Sequence, residues 1–417
     1  MATGERVTSF SAQRVRADTP QLTRVVNGRT ITYLDSGASS LQPRAVIDAM
    51  SQYYALRHAN VHRGVYQTAN EATEAYEGSR NAVARFINAP GGENEVVFTK
   101  NTTESLNLVA KSWGATNLTS GDVVLLSEME HHANIVPWFQ LRESTGIEVR
   151  FIPVGDDFRL DLSNLDELLT GVKLLSVTGM SNVLGTKPPV KVLARAAHDV
   201  GALIAIDGAQ MVAHGPTDVD ELDVDFVAFS GHKMLGPTGI GVLWTRERVL
   251  NTMPPFLGGG GMIADVRVDG YTPAKGVARF EAGTPPIAEA VGLHAAVRYL
   301  EGLGMDHVAA HERFLTEDAL TRLELTFDSR VRVIGPPDTT DRGGVISLDV
   351  EGVHPHDVAQ VLDQFGVCVR PGHHCAKPLM RRFGLAATAR ASFGPYSLTK
   401  DTDVLLEALE HALKMFG

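Results

Sequence analysis

A lysine that follows an apolar run near the middle of the chain is the residue best placed to do chemistry. The run 226–229 opens directly into residues 230–236 (Ser-Gly-His-Lys-Met-Leu-Gly), so Lys233 lies just beyond a predicted strand. A lysine amine is a nucleophile only where its charge can be shed, and it can then hold an aldehyde cofactor as a Schiff base. Lys233 is therefore the candidate nucleophile, although an exposed turn lysine would also fit this segment.

An acidic residue upstream of the lysine supports this interpretation. The apolar run 202–206 ends in Asp207, and Gln210 follows in the next turn. A carboxylate at the end of a buried strand suits the pyridinium nitrogen of pyridoxal phosphate, because it keeps the ring protonated and preserves it as an electron sink. Taken alone, Asp207 could equally cap a helix.

A phosphate site is predicted where another strand ends. Residues 97–106 pass from a strand into a helix, whose free N–H groups favour an anion, and Thr102 and Thr103 add hydroxyl donors. Ser230 and His232 would close this phosphate cup from the lysine side. The alternative is an ordinary helix cap without a ligand.

Two adjacent histidines follow a further strand, in residues 127–134 (Ser-Glu-Met-Glu-His-His-Ala-Asn). An imidazole there could stack on a cofactor ring or move protons, and we expect His131 to do so. A metal site at His131 and His132 is disfavoured because adjacent side chains diverge. A structural role competes for His132.

The clearest indication of the reaction is a cysteine in residues 369–378 (Val-Arg-Pro-Gly-His-His-Cys-Ala-Lys-Pro). Cationic neighbours and a helix start favour the thiolate, so Cys375 could act as a nucleophile, whereas Cys368 is expected to pack in a strand. A zinc site of His373, His374 and Cys375 is the alternative, although three consecutive residues do not easily face one tetrahedral centre.

Arg390 is a candidate for gripping a substrate carboxylate with two parallel hydrogen bonds. An ordinary surface arginine is the competing interpretation.

Composition limits the class of protein. The chain has 417 residues, 44% hydrophobic and 21% charged, which predicts two or three folded domains with large cores. A net charge of -11 without a basic block argues against nucleic-acid binding. We find no apolar run of membrane-spanning length and no signal-peptide pattern at the start, so we expect a cytoplasmic protein with free thiols.

The elements that position these residues alternate between strand and helix. Continuous apolar runs at 95–98, 123–126, 172–177, 202–206 and 226–229 predict buried strands of a largely parallel sheet. Ligands of such sheets bind beyond the carboxyl ends of the strands, where the polar residues above lie. A glycine-rich loop at 254–262, a long helix from about Pro286 and a second α/β layer follow.

Taken together, these segments resemble the class V aminotransferase family of pyridoxal phosphate enzymes, and most closely its SUF-type (group II) cysteine desulfurases. The resemblance covers nearly the whole chain. It is carried by residues 129–138 (Met-Glu-His-His-Ala-Asn-Ile-Val-Pro-Trp), 182–185 (Asn-Val-Leu-Gly), 230–239 (Ser-Gly-His-Lys-Met-Leu-Gly-Pro-Thr-Gly), 279–284 (Arg-Phe-Glu-Ala-Gly-Thr) and 370–376 (Arg-Pro-Gly-His-His-Cys-Ala).

The resemblance implies a fold type I α/β transferase with a large, mostly parallel-sheet domain and a smaller α/β C-terminal domain. We expect an N-terminal segment at 1–30 that packs on the small domain or on a partner, a cofactor domain at 31–290 and a small domain at 291–417. It also implies a homodimer that converts L-cysteine to alanine, forms a persulfide on Cys375 and passes sulfur to an acceptor protein of the SUF machinery for iron–sulfur cluster assembly.

Individual roles follow from the same resemblance. Lys233 would bind the cofactor covalently, Asp207 would pair with its ring nitrogen, Gln210 would bond the ring hydroxyl and His131 would stack on the ring. The phosphate would be held by Thr102, Thr103, Ser230, His232 and, from the other subunit, Thr284. The substrate would be bound by Asn182, Arg390, Arg370 and His62. Three alternatives remain. The chain could be a selenocysteine lyase, it could be a class V enzyme with a different reaction that needs no thiol, or it could be a catalytically silent scaffold.

Overall fold

A seven-stranded sheet built from buried apolar strands organises the first three quarters of the chain. The computed structural model describes residues 10–416. In chain order its strands are β1 (Val25–Val26), β2 (Arg29–Thr30), β3 (Thr32–Tyr33), β4 (Val96–Thr99), β5 (Val123–Ser127), β6 (Glu148–Ile152), β7 (Val172–Thr178), β8 (Leu203–Asp207), β9 (Phe226–Ser230), β10 (Gly241–Thr245), β11 (Ile263–Arg267), β12 (Gly270–Pro273), β13 (Val331–Ile334), β14 (Val345–Val350), β15 (Val367–Cys368), β16 (Arg370–Gly372) and β17 (Thr388–Ser392).

The large sheet has the order β4-β10-β9-β8-β7-β5-β6. Strands β5 to β9 pair in parallel, as their continuous apolar runs predict. Strand β10 was not predicted, and it runs antiparallel to both β9 and β4. The connection 231–240 between β9 and β10 holds no crossover helix of the length that parallel pairing needs, so β10 turns back beside β9. Strand β6 was also missed.

Helices cover both faces of this sheet and extend beyond it. They are α1 (Ala12–Asp18), α2 (Arg44–Gln52), α3 (Gln67–Phe86), α4 (Thr102–Leu108), α5 (Ala115–Asn117), α6 (Val136–Thr145), α7 (Leu165–Leu168), α8 (Val190–Asp199), α9 (Met211–His214), α10 (Glu247–Leu250), α11 (Ile287–Leu303), α12 (Met305–Phe327), α13 (Pro355–Gln364), α14 (Lys377–Arg382) and α15 (Thr399–Phe416). The long helix expected from Pro286 is confirmed, but Gly304, with φ 78°, divides it into α11 and α12.

A second, four-stranded sheet of order β13-β14-β17-β16 forms the C-terminal layer. Its strands are antiparallel, and their buried side chains form one core with those of α12, α13 and α15. Helix α11 instead contributes Ile287, Leu293 and Val297 to the core of the large sheet, although it lies near the boundary predicted at residue 290. The domain boundaries themselves stay a prediction.

The described part of the N-terminal segment contacts both layers. Arg16 of α1 pairs with Asp401 at 2.9 Å and the Asn27 amide donates to the Asp363 carbonyl at 3.0 Å, while Val15 and Leu22 belong to the core of the large sheet. Residues 1–9, the start of the segment expected to pack there, lie outside the described residues. Between residues 10 and 416, no helix combines the length and apolarity needed to cross a lipid bilayer.

Candidate active site

One cavity of about 210 Å³ gathers most of the residues predicted to do chemistry. It opens where β5, β8 and β9 end, which is where ligands of parallel sheets bind. The predicted residues that line it are Thr102, Thr103, His131, Asn182, Asp207, Gln210, Ser230, His232, Lys233, Arg370, Cys375 and Arg390. Residues from both sheets therefore meet in one site.

Lys233 and Asp207 face this cavity from neighbouring strands. Lys233 ends the helical turn Gly231–Lys233 after β9, and Asp207 is the last residue of β8. Burial lowers the pKa of Lys233 to about 8, with Arg390 and Arg370 acting in the same direction while Asp207 opposes them. Burial also raises the pKa of Asp207, and the charge of Lys233 counteracts that rise. The lysine can thus shed its proton near neutral pH.

The residues of the predicted phosphate cup lie together in this cavity. The side chain of Asn101 accepts a hydrogen bond from the Glu104 N–H and caps α4. The Ser230 hydroxyl lies 2.8 Å from the Thr102 amide nitrogen and 2.6 Å from the Thr102 hydroxyl. The start of α4 and the turn of Lys233 therefore meet, and the cap that we named as an alternative is present, while the phosphate role of these residues stays a prediction.

His131 is held as a neutral imidazole in the wall of the cavity. Its Nδ1 accepts a hydrogen bond from the Ala133 N–H at 3.0 Å, which fixes the ring. Burial, together with the charge of Lys233, lowers the pKa of His131 to about 3. A neutral ring can stack on a cofactor without repelling the protonated ring nitrogen that Asp207 would stabilise.

Cys375 lies at the rim of the cavity in a turn between β16 and α14. The backbone of His374 and Cys375 is left-handed, with φ 51° and 56°, a conformation that costs free energy in residues other than glycine. The His132 N–H donates to the Cys375 carbonyl at 2.7 Å, and the Lys377 N–H donates to His132 Nε2 at 3.0 Å. His132 therefore anchors the turn, which is the structural role considered for it.

The zinc alternative for this turn does not fit the side-chain directions. His373 Nδ1 accepts a hydrogen bond from the Cys375 N–H, and His374 Nε2 pairs with the Thr388 hydroxyl at 2.9 Å. The two imidazoles thus have different partners, and Cys375 is exposed.

Arg390 is buried rather than on the surface. Only 1% of its area is exposed, and it donates to the Asn182 carbonyl at 2.9 Å and to Asp35 at 3.1 Å. Burial lowers its pKa, while Asp35 opposes that effect. The clamp role stays a prediction, and Asp35 is a partner that the sequence reasoning missed because it lies 355 residues away.

Two predicted residues lie outside the cavity. His62 and Thr284 line a separate surface cavity together with Glu281, and His62 pairs with Glu77 at 2.7 Å. The single chain therefore does not bring them to Lys233.

A buried acid beside His131 was also missed. Glu130 is fully enclosed and accepts hydrogen bonds from Ser127, Asn134 and the Thr178 N–H. Burial raises its pKa to about 8. The sequence does show an acidic residue after β5 and directly before the two histidines. It does not show that this residue is buried.

Comparison with known proteins assigns this constellation to a family. The sequence profile of the class-V aminotransferases matches residues 32–405. This chain belongs to the class-V aminotransferase family. The enzymes of the family use pyridoxal phosphate, and the cavity of this chain, with a lysine, an acid on the neighbouring strand and a phosphate cup, fits that cofactor.

Relatives that this chain matches over nearly their whole length, and a solved structure, are named cysteine desulfurases. The chain is 51% identical to the probable cysteine desulfurase of Streptomyces coelicolor, covering 98% of each chain. It is 47% identical to the cysteine desulfurase of Haloferax volcanii, with 97% of each covered. The crystal structure of the Escherichia coli cysteine desulfurase CsdA matches with a TM-score of 0.89 at 37% identity, over 98% of this chain and 100% of that one.

Proposed function

We propose that this chain is a cysteine desulfurase that converts L-cysteine to L-alanine and carries the released sulfur on Cys375. The observation that carries the proposal is the position of Cys375, which lines the Lys233 cavity and is also exposed. A thiol placed in this way can take sulfur from a substrate inside the site and present it to a partner outside. The names of the full-length relatives support this assignment.

Substrate binding would use the polar groups on the side of the cavity near β17. We propose that Arg390 and Asn182 hold the carboxylate of L-cysteine, and that the exposed Arg370 lies at the entrance of the cavity. Because Arg390 is buried and fixed by Asp35, its guanidinium is oriented before the substrate arrives. The neutral imidazole of His131 would stack on the face of the cofactor ring and exclude water there.

Proton transfer and sulfur transfer would then be divided between two side chains. Bound pyridoxal phosphate supplies the electron sink that makes the substrate Cα proton acidic. The Lys233 amine, neutral at mildly alkaline pH, takes that proton. The Cys375 thiolate attacks the substrate sulfur, so that a sulfur–sulfur bond forms, the substrate carbon–sulfur bond breaks and its electron pair stays on the substrate, which is protonated to alanine. No external oxidant is required.

A homodimer is part of the proposal. His62 and Thr284 lie at a surface cavity, and large exposed apolar side chains occur nearby in sequence, at Tyr54, Leu56, Val65 and Tyr66. Exposed apolar groups of this kind mark interaction surfaces, and a symmetric pairing would let Thr284 reach the phosphate cup of the second chain.

We further propose that the sulfur leaves for an acceptor protein of the SUF system and serves iron–sulfur cluster assembly. The left-handed turn keeps Cys375 exposed at the rim, which suits transfer to another protein. A reducing compartment such as the cytoplasm fits this role, because Cys375 must stay a free thiol between turnovers.

The proposal is tested by alanine and sulfide release from L-cysteine by the cofactor-loaded protein in the presence of a thiol reductant. We expect equimolar products from the wild type and from Cys368→Ala, and none from Cys375→Ala, which should still bind the cofactor. Full turnover by Cys375→Ala would contradict a persulfide route. A wild type that binds the cofactor but leaves L-cysteine unchanged would contradict the substrate assignment.

A further inference from the structure

A buried histidine and a buried glutamate lie behind Gln210 and have no part in the chemistry described so far. Gln210 directly precedes the short helix α9, His214 is the last residue of that helix, and Glu312 lies on α12. The exposed fractions of the three residues are 2%, 4% and 2% in the same order. Polar groups buried this deeply must satisfy one another, because water cannot reach them.

The hydrogen bonds of the Gln210 amide fix its orientation. Its Nε2 donates to the Gly37 carbonyl at 2.7 Å, and its Oε1 lies 3.2 Å from His214 Nε2. A carbonyl can only accept, so the amide nitrogen must face Gly37 and the amide oxygen must face His214. One N–H of Gln210 is left for the cavity, which Gln210 lines.

The same geometry fixes one proton of His214. Its Nε2 faces the amide oxygen of Gln210, which only accepts, so Nε2 donates. Its Nδ1 lies 2.9 Å and 3.1 Å from the two carboxyl oxygens of Glu312 and shares a hydrogen bond with that group. Glu312 therefore orients the ring whose Nε2 proton points at Gln210.

We propose that His214 and Glu312 are positioning residues that hold the Gln210 amide with one N–H directed at the cofactor. This inference rests on the proposed placement of Gln210 against the ring hydroxyl. Without His214 the Gln210 amide keeps only its bond to Gly37, so its free N–H is less firmly directed at an ionised ring oxygen and stabilises that oxygen less. The pair also ties the cofactor site to α12, the helix that leads into the C-terminal layer.

The pH dependence of the visible absorption band of bound pyridoxal phosphate tests the inference. We expect the midpoint of this titration to rise by about one pH unit in His214→Leu, since a hydrogen bond to a charged oxygen is worth roughly a tenfold change in an equilibrium constant. Glu312→Gln keeps the volume but replaces the carboxyl group that orients His214, and its midpoint should move in the same direction. His214→Gln, which restores a donor toward Gln210, should recover part of the shift.

The matched control is His198→Leu, which breaks another histidine–carboxylate pair, that of His198 Nε2 and Asp225 at 3.0 Å, away from the cavity. Its midpoint should stay at the wild-type value. The other titrating groups near Glu312 or in the cavity, namely Lys187, Tyr396, Lys233, Asp207, His131, His232, His374 and Cys375, are unchanged in all four variants. Thermal unfolding of each apoprotein verifies that it is folded.

Identical midpoints in wild type, His214→Leu and Glu312→Gln would overturn the inference while leaving the cofactor site intact. A wild type that forms no visible band with pyridoxal phosphate would overturn the inference together with the proposed function.

Discussion

Burial determines how the side chains around Lys233 can react. Lys233, His131 and His232 all have pKa values below their ordinary ones, and burial is the main cause for each. Burial instead raises the pKa of Asp207, because the charged form of an acid is the one that loses hydration. The site therefore holds a lysine that becomes neutral readily and two imidazoles that stay neutral.

The lowered pKa of Lys233 predicts the pH dependence of cofactor uptake by the apoprotein. Only the neutral amine attacks the aldehyde, so the rate should rise with pH and level off above a midpoint near 8. In Asp207→Asn the acid that raises this pKa is gone, so the midpoint should move to lower pH. Stopped-flow absorbance measures the rate, with Cys368→Ala as the control. A wild-type midpoint near 10, the value of an ordinary lysine, would contradict this account.

At the scale of elements, the turn that carries Cys375 depends on a contact between the two sheets. The turn follows β16 of the small sheet, while His132, which anchors it, follows β5 of the large sheet. The anchor offsets the cost of two left-handed residues in succession. Cys375 is thus placed by a contact that spans the two layers.

Loss of this anchor should loosen the turn without removing any catalytic group. In His132→Phe the aromatic ring contact with His373 can persist, but the acceptor for the Lys377 N–H is lost. We expect hydrogen exchange at Lys377 to become roughly tenfold faster, as the loss of one hydrogen bond implies. Mass-spectrometric exchange measures this, with His354→Ala, which removes a histidine cap on α13, as the control. Unchanged exchange at Lys377 would show that the His132 side chain does not anchor the turn.

At the scale of the whole molecule, the separation of His62 and Thr284 from Lys233 predicts shared sites. Lys233→Ala and a His62→Ala/Thr284→Ala double variant should each be inactive alone. Isolated mixed dimers should regain about half of the wild-type activity, because one of the two sites in each mixed dimer is intact. Co-expression with two affinity tags isolates the mixed species. Mixed dimers without activity would contradict shared sites, and a monomer in sedimentation experiments would contradict the dimer.

Much of the site could be predicted from sequence because its residues follow strands whose apolar runs are easily recognised. Lys233, Asp207 and Thr102 each lie at such an end, and the sheet brings the ends together. Asp35, Glu130 and Glu312 could not be predicted, since their importance comes from burial and from partners distant in sequence. Strand β10 is as fully buried as the predicted strands, but its antiparallel direction comes from the short connection after β9, which an alternation of strands and helices does not predict.

The mass of Cys375 after one turnover is the measurement that tests the central claim most directly. Cofactor-loaded protein is mixed with one equivalent of L-cysteine without reductant, its thiols are alkylated, and the peptide that contains Cys375 is analysed by mass spectrometry. We predict that this peptide gains one sulfur atom in step with alanine formation, whereas the peptide that contains Cys368 does not. Stoichiometric alanine with an unmodified Cys375 would contradict the account.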